Sequence, residues 1–468
     1  MIIEQIYTGC LAQGAYYIES NGEVAIIDPL REVQDYLDRA AKKNAKIKYI
    51  FETHFHADFV SGHVTLAEKT RGKIVFGPNA KTKFDSHIAK DGEVFKLGNI
   101  TITVLHTPGH TMESTTYLLK DENGKDHAIF TGDTLFLGDV GRPDLAQKSD
   151  VTQDDLAAIL FDSLRNKIMT LADDVLVYPA HGAGSACGKN LSKETIGTLG
   201  EQKATNYALR PDMTKEEFVK EVTAGLLPPP AYFPLNVMLN KEGYRSIDDV
   251  IETGTRALSV KDFELIANET DALILDVRHQ SKFIKGFIPQ SIFIGLGGTF
   301  APWVGALVKD IKQPILLVVP EGKAEETITR LSRVGFDNVL GYLEGGFDAW
   351  KASGKDIDTL TSVSADVLEQ KINEEALVFD VRKPGEYAAE HIENVSSTPL
   401  DFLNDHISEF PTNKDFYVHC AGGYRSVIAS SILKARGFNK VIDVAGGYAA
   451  IRETGIKRTD VVSCSSSK

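Results

Sequence analysis

The segment Ala272-Leu273-Ile274-Leu275-Asp276-Val277-Arg278 returns later in the chain as Ala376-Leu377-Val378-Phe379-Asp380-Val381-Arg382. Gly335-Phe336-Asp337-Asn338-Val339 returns as Gly437-Phe438-Asn439-Lys440-Val441, and Leu343-Glu344-Gly345-Gly346-Phe347 as Val444-Ala445-Gly446-Gly447-Tyr448. Such an internal repeat forces the last two-fifths of the chain to be two copies of one unit. Each copy alternates short apolar runs, of the kind that make fully buried strands, with helical stretches, so each reads as a small α/β domain with a largely parallel sheet. The expected spans are 256–356 and 360–460. Residues 1–240 form a separate domain. The prolines of Leu226-Leu227-Pro228-Pro229-Pro230-Ala231-Tyr232-Phe233-Pro234 cannot continue a helix, and a boundary is expected there or just after.

The chain has 468 residues, 43% hydrophobic and 25% charged, with net charge −14, the profile of a globular protein of several domains. The acidic balance argues against nonspecific binding to nucleic acid or anionic membrane. The start, Met1-Ile2-Ile3-Glu4-Gln5-Ile6, lacks the basic and long apolar regions of a signal peptide, and no run reaches membrane-spanning length, so a cytoplasmic protein is expected. Four scattered cysteines, Cys10, Cys187, Cys420 and Cys464, fit reduced thiols rather than a disulfide framework. Cys464 sits one place off a prenylation box and reads as part of a solvated tail.

Within 1–240, potential metal ligands follow strand-like runs: His54-Phe55-His56-Ala57-Asp58-Phe59, then Thr107-Pro108-Gly109-His110, then Gly132-Asp133-Thr134, then Tyr178-Pro179-Ala180-His181. Their order and spacing resemble the metallo-β-lactamase fold, an αββα sandwich whose superfamily includes glyoxalase II. In the full pattern of that first loop the sixth residue is a histidine. Here it is Phe59, which has no lone pair to give, so a two-metal site is crippled and one ion is implied. His54, His110 and Asp133 can still meet at one ion. Two imidazoles and a carboxylate suit Fe(II), and zinc would accept a similar set.

The match of particular segments favours iron. Above all Gly132-Asp133-Thr134-Leu135-Phe136-Leu137-Gly138-Asp139-Val140-Gly141-Arg142-Pro143-Asp144 is similar to the persulfide dioxygenases, an iron branch of this fold that oxidises the outer sulfur of a thiol persulfide to sulfite. By that resemblance His54, His110 and Asp133 hold one Fe(II). His56, Asp58 and His181 then stand behind the ligands or on the substrate side, and Arg142 and Asp144 belong to an active-site loop, although an Arg–Asp ion pair explains them almost as well. After His181 the chain lacks the aromatic expected in glutathione-using members, which leaves the carrier thiol open. Cys187 reads first as a buried inert cysteine; its place among glycines and next to Lys189 leaves a low-pKa thiol that accepts or relays sulfane sulfur as the alternative.

His419-Cys420-Ala421-Gly422-Gly423-Tyr424-Arg425-Ser426 lies between a strand-like run and a helical one, a placement that aims backbone N–H groups at the sulfur. Together with Asp380-Val381-Arg382 and His391-Ile392, it resembles the rhodanese sulfurtransferases. Four residues separate Cys420 from Arg425, one fewer than in the related cysteine phosphatases, and the smaller loop suits sulfur transfer. In the first copy, Pro320 aligns with Cys420 and Glu325 with Arg425, so 256–356 reads as an inactive rhodanese-like domain.

The resemblances together imply an enzyme of sulfide metabolism and detoxification. An Fe(II) centre oxidises a low-molecular-weight thiol persulfide, of glutathione, coenzyme A or bacillithiol type, with O2 to sulfite. Cys420, assisted by Arg425 and by Asp380 behind the loop, passes sulfane sulfur to sulfite to give thiosulfate. A homo-oligomer is expected, with no nucleic acid or membrane partner. The alternative is a zinc thioester hydrolase of glyoxalase II type fused to a sulfur carrier.

Overall fold

A computed structural model describes residues 1–146 and 151–459; Cys464 lies outside the described residues. The chain divides into two compact units, Met1–Ile247 with Ser332–Gly335, and Asp248–Leu331 with Phe336–Lys468.

The first unit is built on two six-stranded sheets. Strands Ile2–Thr8, Gln13–Ser20, Glu23–Ile27, Lys46–Phe51, Lys73–Phe76 and His87–Ile88 follow one another across the first sheet. Val94–Leu97, Ile100–His106, Thr115–Lys120, Asp126–Gly132, Leu176–Pro179 and Gly197–Thr198 do the same across the second. The period of two in these strands decides the layering. Tyr16, Ile18, Ala25 and Ile27 of the first sheet meet Ile100, Ile102, Val104 and Tyr117 of the second in one core. The alternate residues point outward: Tyr17, Val24 and Ile26 are covered by Tyr36, Ala40 and Leu66 from helices Gln34–Lys42 and His63–Thr70. Leu118, Ile129 and Val177 are covered by Ala157 and Leu160 of helix Gln153–Ser163. Each fully buried aliphatic side chain contributes about 1.5–3 kcal/mol, so both faces of both sheets must be covered, and the result is an αββα sandwich.

The proline-rich segment is built into this unit. Helix Phe233–Glu242 starts with a proline in its first turn, where the missing N–H costs nothing, and the unit runs on to Ile247.

The second unit holds two five-stranded parallel sheets of identical strand order. In one the order is Ala257–Leu258, Val339–Leu343, Ile315–Val318, Leu273–Asp276, Ile292–Phe293; in the other it is Ser362–Val363, Val441–Val444, Phe416–His419, Leu377–Asp380, Ser396–Ser397. Strand register corrects the alignment made from sequence. Asp276 pairs with Val318 and Asp380 with His419, so Val319, not Pro320, occupies the place of Cys420. The following helices begin at Ala324 and Arg425, so Ala324, not Glu325, matches Arg425. Apolar runs of similar composition slide over one another by one residue in a sequence comparison, whereas a hydrogen-bonded ladder admits one register. The conclusion for the first copy survives, because a valine and an alanine are no more reactive than a proline and a glutamate.

Candidate metal centre and thiol loop

Four loops at the carboxyl ends of strands bring the ligands together. His54 follows Lys46–Phe51, His110 follows Ile100–His106, Asp133 directly follows Asp126–Gly132, and His181 follows Leu176–Pro179. Gly132 makes the close approach feasible: its φ is +51°, and a Cβ there would sit 2.5 Å from Thr53 Oγ1.

His54 Nε2 and His110 Nε2 lie 3.9 and 3.4 Å from Asp133 Oδ2, and His181 Nε2 lies 3.5 Å from Asp133 Oδ1. Each ring is fixed through its other nitrogen. His110 Nδ1 is 2.9 Å from the Arg142 carbonyl and His181 Nδ1 is 3.2 Å from the Ala12 carbonyl; a carbonyl only accepts, so both Nδ1 atoms carry the proton and both Nε2 lone pairs are bare. For His54 the acceptor is Thr53 Oγ1 at 2.9 Å, whose own proton goes to Asp28 Oδ2 at 2.8 Å. Burial, with the charges of His56, His110 and His181, holds His54 well below its ordinary range, so it is a neutral base.

Both carboxylate oxygens of Asp133 are buried and accept no hydrogen bond. A buried carboxylate without a donor is costly, and a cation seated among these bare lone pairs removes that cost. The donor atoms of His54, His110 and Asp133 lie within 4.8 Å of one another, so these residues fit a metal.

His56 faces elsewhere. Its Nε2 is 3.0 Å from Asp28 and 3.4 Å from Glu52. Burial alone would lower it, but those two carboxylates outweigh burial and raise it well above its ordinary range. Phe59, fully buried, lies against the His56 ring at a centroid distance of 4.3 Å. His56, Asp58 and His181 do form a second cluster of donors, but the imidazole that would complete it is this phenyl ring.

Cys187 lacks the setting of a low-pKa thiol. It is buried, and burial followed by the charges of Asp58 and Asp133 pushes its thiol well up. Lys189 gives no help: its ammonium donates to the carbonyls of Glu221, Val222 and Ala224. The fold nonetheless brings the Cys187 sulfur within 4.8 Å of donor atoms of Asp133 and His181. Arg142 and Asp144 form a two-pronged ion pair, both contacts 2.6 Å, and Arg142 also donates to the Leu227 and Ala186 carbonyls, stitching the ligand loop to its neighbours.

Several site residues escaped the sequence reading. Asn240 donates to the His56 and Phe59 carbonyls at 2.8 and 2.9 Å and accepts from the Ser61 N–H, clamping the metal loop from far along the chain. Tyr232, in the proline-rich segment, is buried, and burial followed by the charge of Asp58 pushes its phenol well up. Asp28 and Thr53 set the His54 ring; an aspartate closing the apolar strand Glu23–Ile27 was the available signal.

In the second unit, Cys420 is buried at the end of strand Phe416–His419. The Gly423 N–H donates to its sulfur at 3.1 Å, and Ser426 Oγ is 3.5 Å away. Arg425 opens helix Arg425–Ala435 and is held by Glu386 in a paired contact of 2.6 and 2.8 Å, so its charge is already partly answered. Asp380 grips Arg382, which donates on to the Glu390 carbonyl; Asp276 and Arg278 repeat the arrangement with the Gly286 carbonyl. In the first copy a cavity of about 740 Å³ remains beside Pro320, Gly322 and Glu325, with no cysteine among its lining residues.

An αββα sandwich with this ligand order, followed by two parallel sheets of one strand order, defines the class: the chain belongs to the metallo-β-lactamase superfamily, with two rhodanese-like domains fused behind. The superfamily model matches residues 8–181 and the rhodanese-like model matches 259–353 and 364–454. Among relatives, the mitochondrial persulfide dioxygenase ETHE1 of Homo sapiens is 30% identical over 47% of this chain and 78% of its own length. A probable hydroxyacylglutathione hydrolase of Schizosaccharomyces pombe is 31% identical over 39% of this chain and 69% of its own. A crystal structure of a metallo-β-lactamase from Staphylococcus aureus subsp. aureus COL superposes with a TM-score of 0.64 at 29% identity, covering 73% of this chain and 98% of that one. Among the described residues no helix is long and apolar enough to cross a membrane.

Proposed function

We propose that the first unit is an Fe(II) persulfide dioxygenase and that Cys420 is a sulfur carrier that turns its product into thiosulfate. The observation that carries this reading is the unpartnered Asp133 carboxylate facing two bare imidazole nitrogens, with Phe59 in place of the ligand that a second metal needs. His54, His110 and Asp133 would hold the iron. Bound iron supplies the one-electron chemistry that dioxygen requires, and positive charge for an anionic sulfur. The reaction balances as one persulfide, one O2 and one water giving thiol, sulfite and two protons, the sulfane sulfur losing the four electrons that O2 gains.

The chain's own groups do the rest. The acceptors on Thr53, Arg142 and Ala12 keep the three rings turned inward, and the buried surroundings of His54, His110 and Asp133 exclude bulk water. At the second site, the Cys420 thiolate takes the outer sulfur of a second thiol persulfide, whose own S–S bond breaks to release the thiol. Sulfite then attacks the outer sulfur of the Cys420 persulfide; the new S–S bond makes thiosulfate, and the electron pair of the broken bond returns to Cys420 facing the Gly423 N–H. The carrier is a low-molecular-weight thiol. No aromatic follows His181, so nothing in that loop selects glutathione among such thiols.

The similarity to a hydroxyacylglutathione hydrolase favours a second reading, a zinc thioester hydrolase. Anaerobic purification, metal analysis and oxygen uptake against a panel of persulfides separate the two. Iron with persulfide-dependent uptake is expected; zinc, thioester cleavage and no uptake would sink the proposal. Phe59→His should raise metal content per chain from one towards two, read by elemental analysis.

A further inference from the structure

The first rhodanese-like copy has Val319 and Ala324 where its twin has Cys420 and Arg425, so it moves no sulfur itself. Its contacts with the Cys420 loop are specific. Tyr424 stands between Gly423, whose N–H faces the Cys420 sulfur, and Arg425. Its hydroxyl donates at 2.8 Å to the carbonyl of Gly295, a residue of the first copy. Burial pushes the Tyr424 phenol up, so at neutral pH it is a proton donor. Its ring meets Phe293 edge-on at 6.0 Å. Seven residues along the same helix, two turns on and on the same face, Ser431 accepts from the Phe293 N–H at 2.9 Å.

The acceptor is itself held by the first copy. The Ile294 and Leu296 N–H groups donate to the carbonyls of Asp276 and Val277, and Arg330 donates to the Leu296 carbonyl at 2.7 Å. Gly295 has no room for a side chain: a Cβ would lie 2.9 Å from the Phe293 ring, 3.1 Å from the Arg278 carbonyl and 3.2 Å from the Tyr424 ring. By strand register the second copy has Ser397 where the first has Phe293, so its own edge strand offers no equivalent ring.

We infer that the inactive copy is a positioning partner of the Cys420 loop: its Gly295 carbonyl fixes Tyr424, and through Tyr424 the adjacent Gly423 N–H, relative to the Cys420 sulfur. This rests on reading Cys420 as the sulfur carrier. In the step concerned, the bond between Cys420 sulfur and the outer sulfur breaks, the outer sulfur bonds to sulfite, and the thiolate left behind accepts the Gly423 hydrogen bond. A loop free to drift loses that stabilisation.

The test uses the full chain with Tyr424→Phe, which keeps the ring and deletes only the hydroxyl, Gly295→Ala, which disturbs the contact from the other copy, and the double variant. Two rates are read: iodoacetamide alkylation of Cys420, and single-turnover discharge of its persulfide to sulfite. Each single variant should slow both by about tenfold. The thermal midpoint of Tyr424→Phe should stay within about 4 °C of the parent. The double variant should be no slower than the worse single one, because both changes act on one contact. Wild-type rates in Tyr424→Phe, or fully multiplicative losses in the double variant, would overturn the inference. Alkylation reads the loop whether or not sulfur moves, so a wild-type chain that discharges no sulfur counts against the carrier reading alone.

Discussion

The metal centre and the Cys420 loop hold their key groups in opposite ways. At the metal centre, side chains from four loops converge, and their best acceptors, both oxygens of Asp133, go unsatisfied until a cation arrives. At the thiol loop the essential donor is a backbone N–H three residues from the cysteine it serves, within one contiguous turn. The first design depends on remote supports such as Asn240 and Asp28, the second on local curl and on the neighbour that anchors it. A distributed site is therefore vulnerable at residues that never touch substrate, whereas a contiguous one fails mainly at its nucleophile.

That contrast can be broken most forcefully at Cys420. Cys420→Ser should lower sulfur transfer by at least about a thousandfold, since a serine hydroxyl is not ionised at neutral pH, while iron content stays unchanged. Product analysis should show sulfite in place of thiosulfate; undiminished thiosulfate would remove Cys420 from the pathway. Next in size, Asp133→Asn takes the only charge from the proposed ligand set. Iron affinity should fall beyond the roughly 10- to 100-fold typical of outer partners, measured by chelator competition. Thr53→Val tests remote support directly. It frees the His54 ring and should cost about 10- to 100-fold in metal affinity, with no effect on Cys420 alkylation.

The smallest effect is one of pH. His56 stands well above 6.5 in the metal-free fold because Asp28 and Glu52 outweigh its burial. A raised histidine contributes stability that is fully present below its unfolded value of about 6.5 and is lost as pH rises through the folded one. The urea midpoint of the metal-free protein should therefore fall as pH rises above 6.5, and His56→Gln should flatten that slope. A parent midpoint that rises over the same range would show that His56 is not the paired cation proposed.

Local chemistry was legible without coordinates wherever it was contiguous. The duplication, the metal loop ending in Phe59 and the Cys420 loop each sit within a few residues, and their physics is short-range: a missing lone pair, a curl of N–H groups, a strand period. The one-residue slip between the two copies arose because apolar strands resemble each other at neighbouring registers, and pairing of Asp276 with Val318 resolved it. Lys189 left the alternative reading of Cys187 open for a related reason. Two positions from Cys187 in sequence, its ammonium is spent on carbonyls of another segment, and burial governs the thiol.

By itself, then, the sequence determined the class of each domain, the candidate thiol Cys420 and the loss of the histidine at the sixth position of the metal loop, because these follow from residue type and near neighbours. The tertiary structure alone decided which nitrogen of each histidine is bare, that His56 pairs with carboxylates, and that Asn240 and Gly295 contact loops far from them in the chain. Those outcomes rest on burial and on contacts made largely between separate segments of the chain, and neither is a property of a local string.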